Sequence, residues 1–178
     1  TAPEGLEEWY ISCDYGTVNP TSMGLWGKKD GIWYRTAEFY YDARKMHRQK
    51  TDEEYADALA ELAGGRDIRA VIVDPAAASF IETLRRRGWR VRRADNRVLS
   101  GIRLTARLLK AGKLVICPGC GDAIREFALY RWEEQGDGQD RVKKENDHAM
   151  DEIRYFAATV AERKGGGVYA GCVERGAF

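Results

Sequence analysis

The chain opens with apolar positions that recur every second residue. Glu8 to Asp14 (EWYISCD) sets Trp9, Ile11 and Cys13 against Tyr10 and Ser12, and it stops at the turn signal Asp14-Tyr15-Gly16-Thr17. Ser22 to Lys28 reads as a second strand. Asp30-Gly31 predicts a hairpin into a third, aromatic-rich strand from Ile32 to Tyr41. The start of the chain is therefore expected to be a three-stranded antiparallel meander.

After a polar connector over residues 42–50 (DARKMHRQK), the period lengthens to that of a helix. Thr51-Asp52-Glu53-Glu54 has the form of a capping box, and the helix it starts carries Tyr55, Leu59 and Leu62 up to Gly64-Gly65. Ile68 to Val73 is a short apolar run of the buried, parallel type and ends at Asp74-Pro75. Helices are predicted over Ala76–Arg87, Val98–Ala111 and Asp122–Tyr130, with short strands at Trp89–Val91 and Leu114–Ile116 between them. Residues 131–144 (RWEEQGDGQDRVKK) read as a loop or β-hairpin. A last helix spans about Asn146 to Arg163, with Met150, Ile153, Phe156, Ala157 and Val160 along one stripe. A meander followed by β-α units predicts an α/β fold with a central mixed sheet and helices on its faces. It also predicts that the ends of the first strand and of the first parallel strand lie side by side.

Composition narrows the classes. At 178 residues and 44% hydrophobic, the chain is long enough for one domain with its own core. The expected division is a lead-in over 1–7, one domain over 8–163 and a tail over 164–178. No apolar run approaches the roughly 20 residues of a membrane span, so no membrane is expected as partner. TAPEGLEEWY carries no signal-peptide pattern, and an opening at Thr1 suggests a piece cut from a longer protein. Four cysteines without a dense pattern suit a reducing compartment. The net charge of +1 conceals an asymmetry. Residues 85–113 hold 11 Lys/Arg against one acidic residue, while the rest of the chain is net acidic. Such a segment is either a footprint for a polyanion or a solvated helix face paired with carboxylates elsewhere.

The densest chemistry lies near the C-terminal end, in Lys144-Glu145-Asn146-Asp147-His148-Ala149-Met150-Asp151-Glu152-Ile153-Arg154-Tyr155. On a helix, Asp147 and Asp151 are four apart and His148 and Asp151 three apart, so they share one side of the rod. Asp14 and Asp74 each close a predicted strand, where open α/β sheets place their ligands. Alone, either is a common turn residue. Together with the helix they supply the carboxylate oxygens that Mg²⁺ or Mn²⁺ prefers. His148 is open to two readings, an outer-shell proton carrier or an exposed residue at a helix start. Cys117-Pro118-Gly119-Cys120 is read as a turn before a helix, ahead of half a zinc site or a redox pair. Asp14-Tyr15-Gly16-Thr17 has the form of an ATPase phosphate loop, but no second loop and no GxxxxGK[ST] run accompanies it, which argues against NTP hydrolysis by this chain.

Three strings together, "CDYGTVNPTSMGLWG", "VIVDPAAASFIETLRRRGW" and "KKENDHAMDEIRYFA", resemble the C-terminal nuclease domain of tailed-phage terminase large subunits. The likeness runs from about Tyr10 to Ala157 and includes "NRVLSGIRLTARLLKAGKLVI". It implies a ribonuclease H-like fold and two-metal endonuclease activity on concatemeric double-stranded viral DNA, with two Mg²⁺ or Mn²⁺ ions. By motif position, Asp14, Asp74 and Asp151 match the family's metal-binding aspartates, His148 matches a neighbouring histidine, and Asp147 is an additional candidate ligand. The basic segment suggests DNA contacts by Arg85, Arg86, Arg87, Arg90, Arg92, Arg93, Arg103 and Arg107, joined by Lys143 and Lys144. The resemblance further implies an N-terminal packaging ATPase, a portal and a small terminase subunit as partners of the whole protein. It implies a monomeric isolated domain, action in the host-cell cytoplasm during assembly, and a β-hairpin near the site at residues 131–144. Glu152 stands where the family often has a small residue, a departure expected to touch only the surface. The alternatives are another ribonuclease H-like nuclease, such as a junction resolvase, and a non-catalytic DNA- or portal-docking module.

Overall fold

The computed structural model describes residues 1–134 and 147–162. The meander forms as β1 (Glu7–Asp14), β2 (Thr21–Lys29) and β3 (Ile32–Tyr41). Its tight hairpin needs left-handed backbone at both loop residues, and Asp30 (φ 51°) and Gly31 (φ 77°) supply it. A short helix, α1 (Ala43–Met46), interrupts the connector, its first amides held by the Asp42 carboxylate. Helix α2 (Asp52–Ala63) begins on the expected capping box, with Thr51 and Glu54 bonded reciprocally. Then follow β4 (Ile68–Val73), α3 (Ala78–Arg86), β5 (Val91–Arg93), α4 (Val98–Lys110), β6 (Leu114–Ile116), α5 (Gly121–Glu134) and α6 (His148–Phe156). A π-helical turn, Ala157–Ala161, continues α6.

The six strands lie in the order β5-β4-β1-β2-β3-β6, with β1, β4 and β5 parallel and β3 parallel to β6. This is the mixed sheet expected. Alternation along each strand fills two cores. Ile11, Cys13, Val71 and Val73 face α2 and α3, where Tyr55, Leu59, Phe80 and Leu84 are buried. Tyr10, Ala70 and Ile72 face the other side, where Ile153, Phe156 and Leu104 are buried.

Three boundaries differ from expectation. The strand expected at Trp89–Val91 lies two residues later, because the Trp89 amide is still held by the Leu84 carbonyl at the end of α3. Helix α5 runs to Glu134, into the segment read as a loop; the remainder of that segment lies outside the described residues. The last helix changes to π geometry after Phe156 instead of continuing as α-helix. Cys117 and Cys120 form a turn, with the Cys120 amide bonded to the Cys117 carbonyl, and neither is in a disulfide.

Glu152 corrects the surface reading outright. It is fully buried, as is its partner Arg35 on β3. Arg35 donates to the Glu152 carboxylate from Nε (3.1 Å) and Nη2 (2.7 Å), and Ser12 and the Trp26 indole complete the cage. Burial pushes the Glu152 carboxyl up, against the pull of Arg35 and the Ser12 hydroxyl. Gly24 leaves the space: a Cβ there would stand 2.5 Å from both Arg35 Nε and Glu152 Oε1. The side of α6 opposite the solvent is thus polar in sequence and internal in space, since the helix lies between the sheet, α4 and α5.

Candidate metal centre

The alternation that builds the cores also aims the strand-end carboxylates. Tyr10 and Ser12 point to the α6 side of the sheet, so Asp14, the next residue in phase, does too. Ala70 and Ile72 set the same phase for Asp74. The parallel register Cys13↔Val73 then brings Asp14 and Asp74 to neighbouring strand ends, about 4.8 Å apart in the ladder. Helix α6 arrives at this edge with its first turn.

Each carboxylate is met by a donor from α6. His148 Nδ1 lies 2.9 Å from Asp14 Oδ2. The Tyr155 hydroxyl donates to Asp74 Oδ2 at 2.8 Å, and the Ala76 amide to Asp74 Oδ1. Arg154 donates to Asp151 Oδ1 from Nε and Nη2 at 3.2 and 2.9 Å, and it is anchored in turn on the carbonyls of Asn96 and Arg97. Asp14, His148 and Asp151 open into a cleft of about 580 Å³ whose other walls include Tyr15, Asn19, Arg44 and Asp147.

The electrostatics mark one coupled group. Burial raises the Asp14 pKa, His148 pulls it down, and the charges of Asp151 and Asp74 raise it again. Burial works to lower the His148 pKa, but the Asp14 hydrogen bond and charge leave it above 6.5. His148 and Asp14 thus each favour the charged form of the other. Burial also raises Tyr155, as do the charges of Asp14, Asp74 and Asp151.

The donor set fits a hard divalent cation in kind, being carboxylate oxygen with one imidazole. The Ser22 hydroxyl adds to that fit: it faces Asp14 across the β1–β2 ladder, buried and without a hydrogen-bond partner. In position the fit is incomplete. Among the described residues, no three His, Cys, Asp or Glu side chains stand close enough together to hold an ion. Each carboxylate is turned to its protein donor, and ligation requires these side chains to rotate.

Comparison with solved structures places this arrangement. The large terminase of a thermophilic bacteriophage, solved in complex with ADP, is 42% identical over 89% of this chain and 41% of its own, with a TM-score of 0.82. The solved structures that match the chain are phage large terminases, nuclease domains of that protein among them. The chain spans about two fifths of that ADP-bound protein. The P22 large terminase nuclease domain superposes with a TM-score of 0.68 at 18% identity, over 89% of this chain and 83% of that one. The large terminase nuclease of thermophilic phage G20c, solved with bound zinc and with bound cobalt, gives TM-scores of 0.58 and 0.59 at 15% identity. In the zinc form the match covers 84% of this chain and 80% of that one; in the cobalt form, 85% and 81%. The P22 and G20c likenesses establish the ribonuclease H-like terminase nuclease-domain fold. No protein-family model matches the chain, and no curated protein does.

Within this domain the structure gathers Asp14, Asp74, His148 and Asp151 at one edge, with Asp147 at the start of α6 on the cleft wall. It does not gather the basic segment. Helix α3 runs back along β4, so Arg85, Arg86, Arg87 and Arg90 lie at the end of the sheet remote from Asp74. Several are paired, Arg87 with Glu53 and Asp57, Arg90 with Asp67, and Arg107 with Glu162. Arg93, opposite Val73, returns to the carboxylate edge with Arg92 beside it, and Arg103 is exposed on α4. Lys143 and Lys144 lie outside the described residues.

Contributors beyond the expected set are Arg154, Tyr155 and Glu126. Arg154 and Asp151 are three apart, a spacing that favours an ion pair and was available to inspection. Glu126 gave no such signal. From α5 it accepts the Ala149 and Met150 amides at 2.8 and 3.1 Å and the Tyr40 hydroxyl at 2.9 Å, so it closes the start of α6 in place of a local cap. Burial pushes its carboxyl up to about 7, against the pull of Tyr40 and the two amides. Because the folded-state pKa is the higher one, the stability from this group is complete below the ordinary 4.5 and is lost as pH rises through about 7. Glu126→Gln removes that titration. Thermal melts at pH 5 and pH 8 should show the variant gaining about 1–3 kcal/mol relative to wild type across the interval. Parallel pH profiles for the two proteins would refute it.

Proposed function

We propose that this domain is a divalent-metal-dependent endonuclease that cuts double-stranded DNA during viral genome packaging. The observation that carries the reading is the meeting of Asp14, Asp74 and Asp151, from two strand ends and one helix, on one edge beside an open cleft. The family supports it, as does the metal bound by the G20c nuclease of the same fold.

In this reading Asp14, Asp74 and Asp151 would hold two Mg²⁺ or Mn²⁺ ions, with Asp147 an auxiliary acid. The chemistry that such ions supply when bound is activation of the attacking water and relief of charge on the leaving oxygen. His148 Nδ1 is hydrogen-bonded to Asp14, the position of a group that passes a proton to or from the site. Arg154 orients Asp151, and Tyr155 orients Asp74. Arg92 and Arg93 are the members of the basic segment best placed for phosphate at the cut. Arg85, Arg86, Arg87, Arg90, Arg103 and Arg107, with Lys143 and Lys144, extend the contact along the duplex.

The nuclease unit is assigned to residues 8–163, with a tail over 164–178. In the whole protein it works beside a packaging ATPase, the portal and a small terminase subunit, in the host cytoplasm. The test is digestion of supercoiled, linear and four-way-junction DNA with Mn²⁺. Linear and supercoiled duplex should be cut, EDTA should abolish cutting, and binding should weaken steeply with salt. Exclusive cleavage of the junction would replace packaging with resolution, and inert protein would remove the nuclease reading altogether.

A further inference from the structure

Resting on the DNA-cutting reading, a second observation concerns the far wall of the cleft. Residues 42–50 carry Arg44, Lys45, Arg48 and Lys50 against a single acid, Asp42. The sequence gives no reason to join them to the carboxylates, but the fold does. Asp14 pairs with Ser22, and Thr21 pairs with Tyr41, so β3 delivers the connector to the same edge of the sheet as Asp14.

Arg44 is the one Lys or Arg side chain lining that cleft among the described residues. It is exposed, and among the described residues its charge meets no carboxylate. Its guanidinium is instead steadied by a neutral group, the Asn19 side-chain oxygen, at 3.0 Å. A cation held in place by an amide, facing a wall of Asp14, Asp147 and Asp151, lacks the anion that a guanidinium fork is built to grip. Across the edge, Arg93 on β5 is four strand spacings from β3, about 19 Å at 4.8 Å per strand. The acidic centre is therefore flanked by cations on both sides.

We propose that the 42–50 connector is a second contact for the DNA backbone, in which Arg44 binds a phosphate of the strand lying in the cleft and Asn19 positions it. This divides the labour at the edge. The carboxylates repel bare DNA, and Arg44 and Arg93 hold it from either side.

The experiment measures binding of the chain to a linear duplex by fluorescence anisotropy in EDTA, so that cutting does not interfere, over a range of NaCl concentrations. Arg44→Ala should weaken binding roughly three- to tenfold and reduce the slope of log K against log salt by about one. Arg44→Lys should restore the slope while recovering only part of the affinity. Asn19→Ala should weaken binding with the slope kept, because the charge remains. Arg69→Ala, at the opposite end of the sheet and paired with Glu8, should match wild type. A wild-type slope and affinity in Arg44→Ala overturns the proposal while leaving the nuclease reading intact. If wild type itself binds duplex with no salt dependence, both fall.

Discussion

Replacing Asp14, Asp74 or Asp151 with asparagine is expected to cut DNA cleavage by more than about 100-fold without loss of fold. Loss of an outer partner of a metal ligand already costs roughly 10–100-fold, and loss of the ligand itself should exceed that. His148→Ala and Tyr155→Phe, which remove only the partners of Asp14 and Asp74, should therefore fall within the smaller range. Stability should move the other way. The charges of Asp151 and Asp74 push the Asp14 carboxyl up, so neutralising one of the three relieves like-charge repulsion, and the melting temperature should hold or rise. Plasmid digestion in Mn²⁺ and thermal melts on the same samples separate the two effects. Three asparagine variants that cut at the wild-type rate would end the assignment, and an activity loss matched by collapse of the melt would make the carboxylates structural.

The second large effect lies in the core. Glu152→Ala leaves Arg35 charged and fully buried with one partner removed, and breaking such a pair costs about 3–5 kcal/mol. For a domain of this length that is a fall in melting temperature of roughly 6–20 °C. Replacing both partners with apolar residues, as in Arg35→Met with Glu152→Leu, should recover part of the loss, because the stranded guanidinium is gone while Glu38, its other buried partner, keeps the Asp122 and Ala123 amides. A single Glu152→Ala variant that melts within about 2 °C of wild type would show that water reaches Arg35.

Much of the carboxylate edge could be read from the chain, because it follows from local rules. Period two in β1 and β4 sets the direction of Asp14 and Asp74, and the parallel pairing of a strand before and after a helix sets their adjacency. The Asp30-Gly31 hairpin and the Thr51 capping box are equally local. What the sequence concealed depends on pairs far apart in the chain. Glu152 looks solvent-facing on a helical wheel, since a wheel presumes that one side of the helix meets water. The Glu152 side of α6 is covered by the sheet, and its partner Arg35 is 117 residues away. Glu126 reaches the α6 amides from another helix, which no spacing rule describes. The basic run is divided for the opposite reason. It is contiguous in sequence, but the chain reverses after α3 into β5, which leaves its arginines at both ends of the sheet.

Helix α6 has a mechanical consequence. His148, Asp151, Arg154 and Tyr155 are carried on a single nine-residue rod, and this rod is secured at its start by Glu126 and along its flank by the Arg35 clamp. The three carboxylates therefore do not adjust independently. A slide or roll of the rod by a fraction of a turn moves Asp151 and the donors to Asp14 and Asp74 together, like one key moving three tumblers. Lesions at Glu126 or Arg35, which touch none of those carboxylates, should disturb all three in concert, and partial losses of activity should track the seating of α6 more closely than the identity of any one ligand.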